Sequence, residues 1–279
     1  MREFPLFIPW EDDHLAAILT VPEGDPRGLV LLLTGLGAPR SHRFQMWAIA
    51  AARLSDRGVA SVRWEYRGLH DSTGSMRETS SVLLTLDQAA TIATFAEQAT
   101  GIGQMGVVGN CHGAEVALMM AAERAECVGA MCILPEGAVR GRWGSILRRM
   151  TGRKVSALVR ARPILRRLTR PIRRMDTRPK RTLDVPLAKA LGRNRIVFLY
   201  DQIHMRSGPT DFSKIRKLVD RLPQTSRDRC ELWVISSWGL DRFGSVETQE
   251  AALDAVDTWA DQTFGLGRHH RPPLAVAAQ

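Results

Sequence analysis

The stretch that decides the fold is Gly109-Asn110-Cys111-His112-Gly113, which joins a short apolar run to a segment of small, helix-favouring residues. Residues 105–108 before it have the composition of a buried strand, and residues 114–118 after it have that of a helix. A side chain held on a sharp strand-to-helix turn needs small neighbours two residues away on either side, because the two backbones approach closely. The two glycines meet that need, so the pattern predicts a nucleophile elbow with Cys111 at its tip.

Apolar runs of strand length alternate with helix-length periodic stretches on both sides of this elbow. The alternation predicts an α/β fold, in which a mostly parallel sheet carries helices on both faces. The predicted strands are residues 6–10, 15–21, 28–33, 60–66, 104–108, 127–134, 195–200 and 232–235, of which the first two form an antiparallel pair. The predicted helices are residues 44–54, 80–98, 111–124 and 246–264.

The length of 279 residues and the hydrophobic content of 44% suit one core with an insertion. We expect residues 1–135 and 193–265 to form that core, residues 136–192 to form an inserted helical cap, and residues 266–279 to be a frayed tail. The sequence has no apolar run long enough to span a bilayer and no signal-peptide layout at its start, so we expect a cytoplasmic location. Four cysteines without disulfide or metal-site spacing fit a reducing compartment.

The positive charge of the chain is concentrated in one segment. Residues 140–181 contain 16 Lys and Arg against a single acid, Asp176, so this segment carries +15 and the rest of the chain −5, for a net charge of +10. A segment of this kind predicts an anionic partner, such as an anionic membrane surface or another polyanion, and says nothing about the fold. Nucleic acid is a poorer candidate, because no series of base-stacking aromatic residues accompanies the charge.

Within the insertion, apolar residues recur at helical spacing while arginines occupy the other face. Ile164, Leu165, Leu168, Ile172 and Met175 mark the apolar face. One interpretation is a cap helix that packs by this face and exposes a solvated basic face. The other is docking on an anionic surface, which would make the protein peripheral to a membrane.

Whether Cys111 reacts is a separate question from whether it forms an elbow. The start of a helix favours negative charge, so a cysteine there is favoured as the thiolate, which is the nucleophilic form. The alternative is a buried cysteine that packs and does no chemistry, as is usual for this residue type. Cys127, Cys132 and Cys230 lie in or beside apolar strands and are predicted to be core residues.

An acyl-transfer site at this elbow also needs donors for a developing oxyanion. The backbone N–H of His112 is one candidate, because it follows the nucleophile. The second is the backbone N–H near Leu36, in the loop after the strand that ends at Leu33, where Gly35 and Gly37 allow a close approach. The His112 side chain is either a proton carrier or a structural group turned away from the nucleophile.

These motifs together resemble the α/β-hydrolase superfamily over most of the chain, and within it the exosortase A system-associated hydrolases. The resemblance implies the α/β-hydrolase fold and hydrolase chemistry on an ester or thioester, linked to exopolysaccharide or envelope processing. The stretches that carry it are Gly35-Leu36-Gly37, Ser41-His42-Arg43-Phe44, Tyr66-Arg67-Gly68, Asp71-Ser72-Thr73-Gly74 and residues 109–114.

The stretch Ser41-His42-Arg43 allows two interpretations. His42 and Arg43 line the substrate site in the first. In the second, Ser41 caps the following helix and the charged side chains are solvated.

On this fold, the acid that assists a nucleophile is expected after the strand at 195–200 and the histidine after the strand at 232–235. Asp201 follows the first of these strands directly and is preferred to Asp211 as the acid. The loop at 236–243 carries Asp241-Arg242 where the family pattern has histidine, and a guanidinium cannot act as a base near neutral pH. Arg242 can still hold a substrate anion.

A histidine from elsewhere must therefore complete the site if the protein is an enzyme. His204 lies in the loop of Asp201 and is the predicted proton carrier; His112 and His42 are the alternatives. The sequence thus predicts a hydrolase or acyl transferase with Cys111, Asp201 and His204 as catalytic residues, Leu36 and His112 as oxyanion donors, and Gly35, His42, Arg43 and Arg242 around the substrate. The expected substrate is a small-molecule or acyl-carrier ester or thioester, with no metal or organic cofactor. The alternative is a catalytically degenerate protein that binds an anionic ligand or surface through its cap.

Overall fold

The computed structural model describes residues 1–75, 82–135, 184–206 and 211–267. Within these ranges the chain forms an eight-stranded sheet with the order β1-β2-β4-β3-β5-β6-β7-β8. The strands β1 and β2 form an antiparallel pair, β2 also pairs antiparallel with β4, and the remaining neighbours are parallel. The strands are β1 Arg2–Trp10, β2 Asp13–Val21, β3 Leu29–Leu33, β4 Ala60–Trp64, β5 Met105–Asn110, β6 Cys127–Ile133, β7 Arg195–Asp201 and β8 Cys230–Ile235.

The central strands explain why the sequence predicts this sheet. Every residue of β3, β4 and β5 is buried, as expected for strands that are covered on both faces. Their branched apolar side chains form a core in which Leu29 to Leu33 are completely inaccessible to solvent. All eight predicted strands are present, with ends that differ by a few residues, and the mostly parallel sheet is confirmed.

Five of the helices in the described ranges form two groups. One group contains α1 and α8, which contact each other, and the other contains α2, α3 and α4, of which α2 and α4 both pack on α3. The helices are α1 Met46–Asp56, α2 Val82–Thr100, α3 His112–Glu123, α4 Asp184–Leu191, α5 Gln202–Arg206, α6 Asp211–Val219, α7 Gln224–Arg227 and α8 Val246–Phe264.

Helix α4 belongs with the sheet, although the sequence predicts that it is part of the insertion. Asn194, just after α4, donates a hydrogen bond to the carbonyl oxygen of Ala121 in α3, and Lys189 pairs with Glu123. The chain divides into one unit of residues 1–135 and 184–279 and a second unit of residues 136–183. The second unit, and with it the predicted basic amphipathic segment, lies outside the described residues.

The first helix begins two residues later than its apolar periodicity predicts, because Phe44 and Gln45 have positive φ angles of 52° and 60°. The last helix has the ends that the sequence predicts. Ser245 caps it by accepting a hydrogen bond from the N–H of Thr248, and Gly265 ends it in the left-handed conformation. Within the described ranges, no helix combines the length and the apolar character that crossing a bilayer requires.

Candidate active site

Cys111 lies on the turn between β5 and α3 with φ 54° and ψ −115°, a conformation that residues other than glycine rarely adopt. Its N–H donates to the carbonyl oxygen of Ile133 at 2.9 Å, which fixes the turn against the end of β6. The side chain is half-buried, and α3 begins with the next residue, His112. A strained residue at the carboxyl end of a central strand, directly before the start of a helix, is the geometry of a nucleophile elbow.

The two glycines of the elbow are required by close backbone contacts. A Cβ atom at Gly109 would lie 2.1 Å from the carbonyl oxygen of Gly113, and one at Gly113 would lie 2.6 Å from the carbonyl oxygen of Leu33. Real Cβ atoms do not approach oxygen this closely, so a side chain at either position would push the helix away from the sheet. The tight strand-to-helix turn that the sequence predicts at these residues is therefore confirmed, and the nucleophilic role of Cys111 stays a prediction.

The loop after β3 passes directly over the elbow. A Cβ atom at Gly35 would lie 3.4 Å from the Cβ atom of Cys111 and 3.3 Å from Oδ1 of Asn110. Gly35 is buried, and Leu36 behind it is half-buried. The backbone at Gly35 thus passes beside Cys111, in the loop where the sequence predicts one oxyanion donor.

Asp201 and His204 form a pair at the carboxyl end of β7. Nδ1 of His204 lies 2.6 Å from Oδ1 of Asp201, and the N–H of His204 donates to the same oxygen at 2.9 Å. Asp201 is completely buried. Burial alone would raise the pKa of Asp201, but the hydrogen bonds from His204 and from backbone N–H groups outweigh it and lower the pKa to about 2. The carboxylate is therefore ionised at neutral pH and favours a proton on Nδ1 of His204.

The other oxygen of Asp201 holds the loop that follows β8. Its Oδ2 atom accepts hydrogen bonds from the N–H groups of Gly239 and Leu240 at 2.9 and 2.8 Å. Two residues further on, the side chain of Arg242 is 74% exposed, and its Nε lies 3.5 Å from Asp241. This loop thus supplies backbone donors to the acid while its arginine extends into solvent.

The side chain of His112 packs against α2 and Tyr66. It is buried, its Nε2 lies 3.1 Å from Oγ1 of Thr85 in α2, and its ring packs edge-on against Tyr66 at 5.9 Å. The hydroxyl of Tyr66 in turn donates to the carbonyl oxygen of Thr34 at 3.1 Å. These contacts favour the structural interpretation of the imidazole and leave its backbone N–H as the group relevant to an oxyanion.

The predicted substrate residues His42 and Arg43 have different environments. His42 is buried, and its Nε2 lies 3.2 Å from Oδ1 of Asn110, whereas Arg43 is exposed. Ser41 does not cap the following helix, because Gln45 occupies the N-cap position and no side-chain cap is formed. The hydroxyl of Ser41 instead lies 3.5 Å from the carbonyl oxygen of His42.

The other three cysteines are buried thiols. Burial raises the pKa of Cys127 to about 12 and the pKa of Cys132 further. Although part of Cys230 reaches solvent, burial of its thiol and the charge of Glu231 raise its pKa to about 12 as well. The three remain thiols near neutral pH, which agrees with their prediction as core residues.

Two features of this site escape sequence reasoning. The first is the role of Asn110, which lies inside the elbow motif but whose partner, His42, is 68 residues away in the chain. The second is the pair of N–H groups at Gly239 and Leu240 that bind Asp201. Only the glycine at 239, which has φ 87°, marks that turn in the sequence.

No protein-family model matches this chain, and no curated protein matches it in sequence. Solved structures do match it in fold. Est1E from Butyrivibrio proteoclasticus, determined with ferulic acid bound, has a TM-score of 0.64 at 13% identity and covers 93% of this chain and 99% of its own. The proline iminopeptidase of Mycobacterium smegmatis has a TM-score of 0.64 at 13% identity and covers 95% of this chain and 100% of its own.

A dienelactone hydrolase from Anabaena variabilis is similar to nearly the same extent, with a TM-score of 0.59 at 15% identity over 92% of this chain and 96% of its own. These structures are α/β-hydrolases, and the match extends over nearly the whole length of each. The chain therefore has the α/β-hydrolase fold, as the sequence predicts.

Proposed function

We propose that this chain is a hydrolase or acyl transferase of an ester or thioester, in which Cys111 is the nucleophile and the Asp201–His204 pair transfers protons. The pair itself is the observation that carries the proposal. A buried carboxylate lies 2.6 Å from a histidine at the same edge of the sheet as the elbow, although the usual position after β8 has no histidine. An acid that orients an imidazole is the arrangement that nucleophilic catalysis requires.

The topology supports cooperation between the two parts. One strand, β6, separates β5 from β7, so the backbones at Cys111 and Asp201 are separated by two strand spacings, or roughly 10 Å. The side chain of His204 extends from the short helix α5 that follows Asp201, and it is 27% exposed. The proposal requires this imidazole to extend across that gap and reach the thiol of Cys111.

The chemistry follows from these roles. With a proton on Nδ1, the imidazole of His204 has a lone pair on Nε2 and accepts the proton of the Cys111 thiol. The thiolate attacks the acyl carbon, and the oxygen that becomes negative is stabilised by the N–H groups of Leu36 and His112. Collapse releases the alcohol or thiol, which takes the proton from His204. Water, or an alcohol acceptor in a transferase, then attacks the acyl-enzyme as His204 removes its proton. The bond from the acyl carbon to Sγ breaks, the Cys111 thiolate takes the proton back from His204, and the carboxylic acid or new ester leaves.

The substrate class is proposed from the neighbours and from the rim of the site. Ferulic acid is bound in one neighbour, and an esterase of Pyrococcus furiosus is another, so a small-molecule ester is the first choice and an acyl-carrier thioester the second. The exposed side chains of Arg43 and Arg242 would bind a negative group on that substrate. The resemblance to exosortase-associated hydrolases favours a substrate from envelope or exopolysaccharide processing.

A second candidate function is binding without turnover, at an anionic surface and through residues 140–181. The missing histidine after β8 and the +15 charge of that segment favour it. The strained elbow and the ionised Asp201 favour catalysis, because neither is needed for surface binding. Vesicles that contain phosphatidylglycerol test this candidate: we expect salt-sensitive binding that disappears on deletion of residues 140–181, and binding that is indifferent to salt would contradict it. Ester turnover, measured separately, decides whether catalysis accompanies the binding.

The experiment that tests catalysis is a comparison of cysteine labelling and ester turnover on the full chain. We expect iodoacetamide at pH 7 to label Cys111 first, because the other three thiols are buried and their pKa values are raised. A p-nitrophenyl ester should then leave an acyl group on Cys111, detectable by mass spectrometry. Cys111→Ala should abolish both signals, and the matched variant Cys230→Ala should retain them.

The proposal fails if Cys111 is labelled no faster than Cys127, Cys132 and Cys230 on the folded chain. It also fails if turnover of the ester survives Cys111→Ala, because hydrolysis would then occur without the elbow thiol.

A further inference from the structure

We propose that His42 is a positioning residue of the oxyanion site: as a neutral imidazole it donates a hydrogen bond to Asn110 and sets the distance between the loop at Gly35–Leu36 and Cys111. This inference rests on the proposed function, since it concerns the same nucleophile. It replaces the direct contact with substrate that the sequence suggests for His42.

The hydrogen bond lies within the site but below its surface. Nε2 of His42 and Oδ1 of Asn110 are 3.2 Å apart, and the two residues are only 5% and 6% exposed. On its other side, the same Oδ1 atom faces Gly35, where an added Cβ would lie 3.3 Å away. The amide of Asn110 is thus placed between His42 and the oxyanion loop, directly before the nucleophile in sequence.

Three elements meet at the His42 ring. It lies 5.2 Å from the ring of Trp47 in α1 and 5.2 Å, edge-on, from the ring of Phe243 in the loop after β8. Its hydrogen bond reaches β5. One side chain therefore links the helix after the oxyanion loop, the strand of the nucleophile and the loop that Asp201 holds.

The backbone here is strained, which indicates that tertiary contacts determine it. His42, Phe44 and Gln45 all have positive φ angles, of 62°, 52° and 60°. Residues with side chains are held in this region only where the surroundings over-determine the conformation, and such positions concentrate at functional sites. The contacts of His42 supply that constraint for the loop that carries the second oxyanion donor.

A histidine is an unfavourable choice at this position unless its nitrogen is used. Burial, assisted by the positive charge of Arg43, lowers the pKa of His42 to about 4, so the ring is neutral at physiological pH. Nδ1 of His42 is buried and has no hydrogen-bond partner among the described residues. A phenylalanine would pack against Trp47 and Phe243 without leaving a buried nitrogen unsatisfied, so the distinguishing contribution of histidine is the bond to Asn110.

The test compares His42→Phe, which retains a ring, with His42→Gln, whose amide N–H can still donate to Asn110. Two probes read different steps at Cys111. Iodoacetamide reports only the thiolate, whereas hexanal forms a thiohemiacetal in which Sγ bonds the carbonyl carbon and the former carbonyl oxygen occupies the oxyanion site. We expect His42→Phe to weaken hexanal binding by about tenfold or more while the iodoacetamide rate and its pH profile change by less than about twofold. His42→Gln should restore hexanal binding to within about threefold.

A parallel fall in both probes for His42→Phe, with no rescue by glutamine, would overturn the proposal and leave His42 a packing residue. Failure of Cys111 to react with either probe in the unsubstituted chain would instead count against the proposed function. Nitrogen NMR of histidine-labelled full-length protein provides a further test that does not depend on reaction at Cys111. We expect His42 to remain a neutral Nε2–H tautomer between pH 5 and 7, and a charged His42 at pH 6 would overturn the proposal.

Discussion

Two neighbouring strands, β7 and β8, end at one edge of the sheet, but the segments at their ends carry different groups. Residues 201–206, the β7–α5 segment, contain both a buried acid, Asp201, and a histidine, His204, 2.6 Å apart. The loop after β8 contributes backbone N–H groups and a buried phenylalanine, and the side chain of its Arg242 points to solvent. Under the proposed function, the acid and the histidine need not come from two different strand ends, since an acid needs only to orient an imidazole near the nucleophile.

The largest expected effect comes from His204. If His204 in the β7–α5 segment transfers the proton, His204→Gln should lower kcat/KM for a p-nitrophenyl ester by about 100-fold to 10,000-fold, the usual contribution of a general base. The matched variant His70→Gln, at an exposed position, and Asp241→Asn in the loop after β8 should each remain within about twofold. Equal losses of kcat/KM in His204→Gln and Asp241→Asn would contradict this assignment, because the β7–α5 segment and the loop after β8 would then share the proton transfer.

Asp201→Asn should have the next largest effect, because Asp201 binds both His204 and the loop after β8. The carboxylate accepts four hydrogen bonds, two from His204 and two from the loop after β8, and an amide cannot accept them all. We expect turnover to slow by about 100-fold and the free energy of unfolding to fall by about 1–3 kcal/mol, the usual cost of an unsatisfied buried group. Steady-state kinetics and urea unfolding measure the two effects, with the exposed Asp25→Asn as the control.

The difference in stability between the unsubstituted chain and Asp201→Asn should depend on pH. The pKa of Asp201 is lowered from 3.8 to about 2 in the folded chain, so its ionised form is stabilised by folding. The stability advantage of the unsubstituted chain over Asp201→Asn should be complete above about pH 4 and should shrink as pH falls towards 2. Urea midpoints for both proteins at several pH values measure this gap, and a gap independent of pH would contradict an ionised Asp201.

The β7–α5 segment and the loop after β8 also show which contacts the sequence predicts and which it does not. Asp201 and His204 are three residues apart, and both could be proposed because local spacing and the end of an apolar strand are visible in the sequence. The contacts from Asp201 to Gly239 and Leu240 join positions 38 and 39 residues apart, and only the folded sheet brings them together. The pairing of His42 with Asn110 is of the same kind.

The strands and long helices are predictable because burial gives their sequences a regular spacing of apolar residues. The elbow is predictable because its close backbone contacts leave room only for glycine. The sequence does not predict helix α6, although its spacing is amphipathic, because the segment is short and four of its nine residues are charged. The sequence places helix α4 in the insertion, because the packing of α4 on α3 depends on residues far apart in sequence, such as Lys189 with Glu123.

The smallest expected effect concerns Arg242, the residue that stands where the family pattern has histidine. Its side chain is 74% exposed, so its attraction for a substrate anion is screened by water and salt. For Arg242→Gln we expect KM for a carboxylate-bearing ester, relative to KM for a neutral ester of the same size, to rise by roughly twofold to fivefold. The increase should disappear at high salt, because the Debye length becomes shorter. If turnover of both esters instead slowed by about 100-fold, the effect of losing a general acid or base, Arg242 would belong among the reacting groups. The loop after β8 would then share the proton transfer that we assign to the β7–α5 segment.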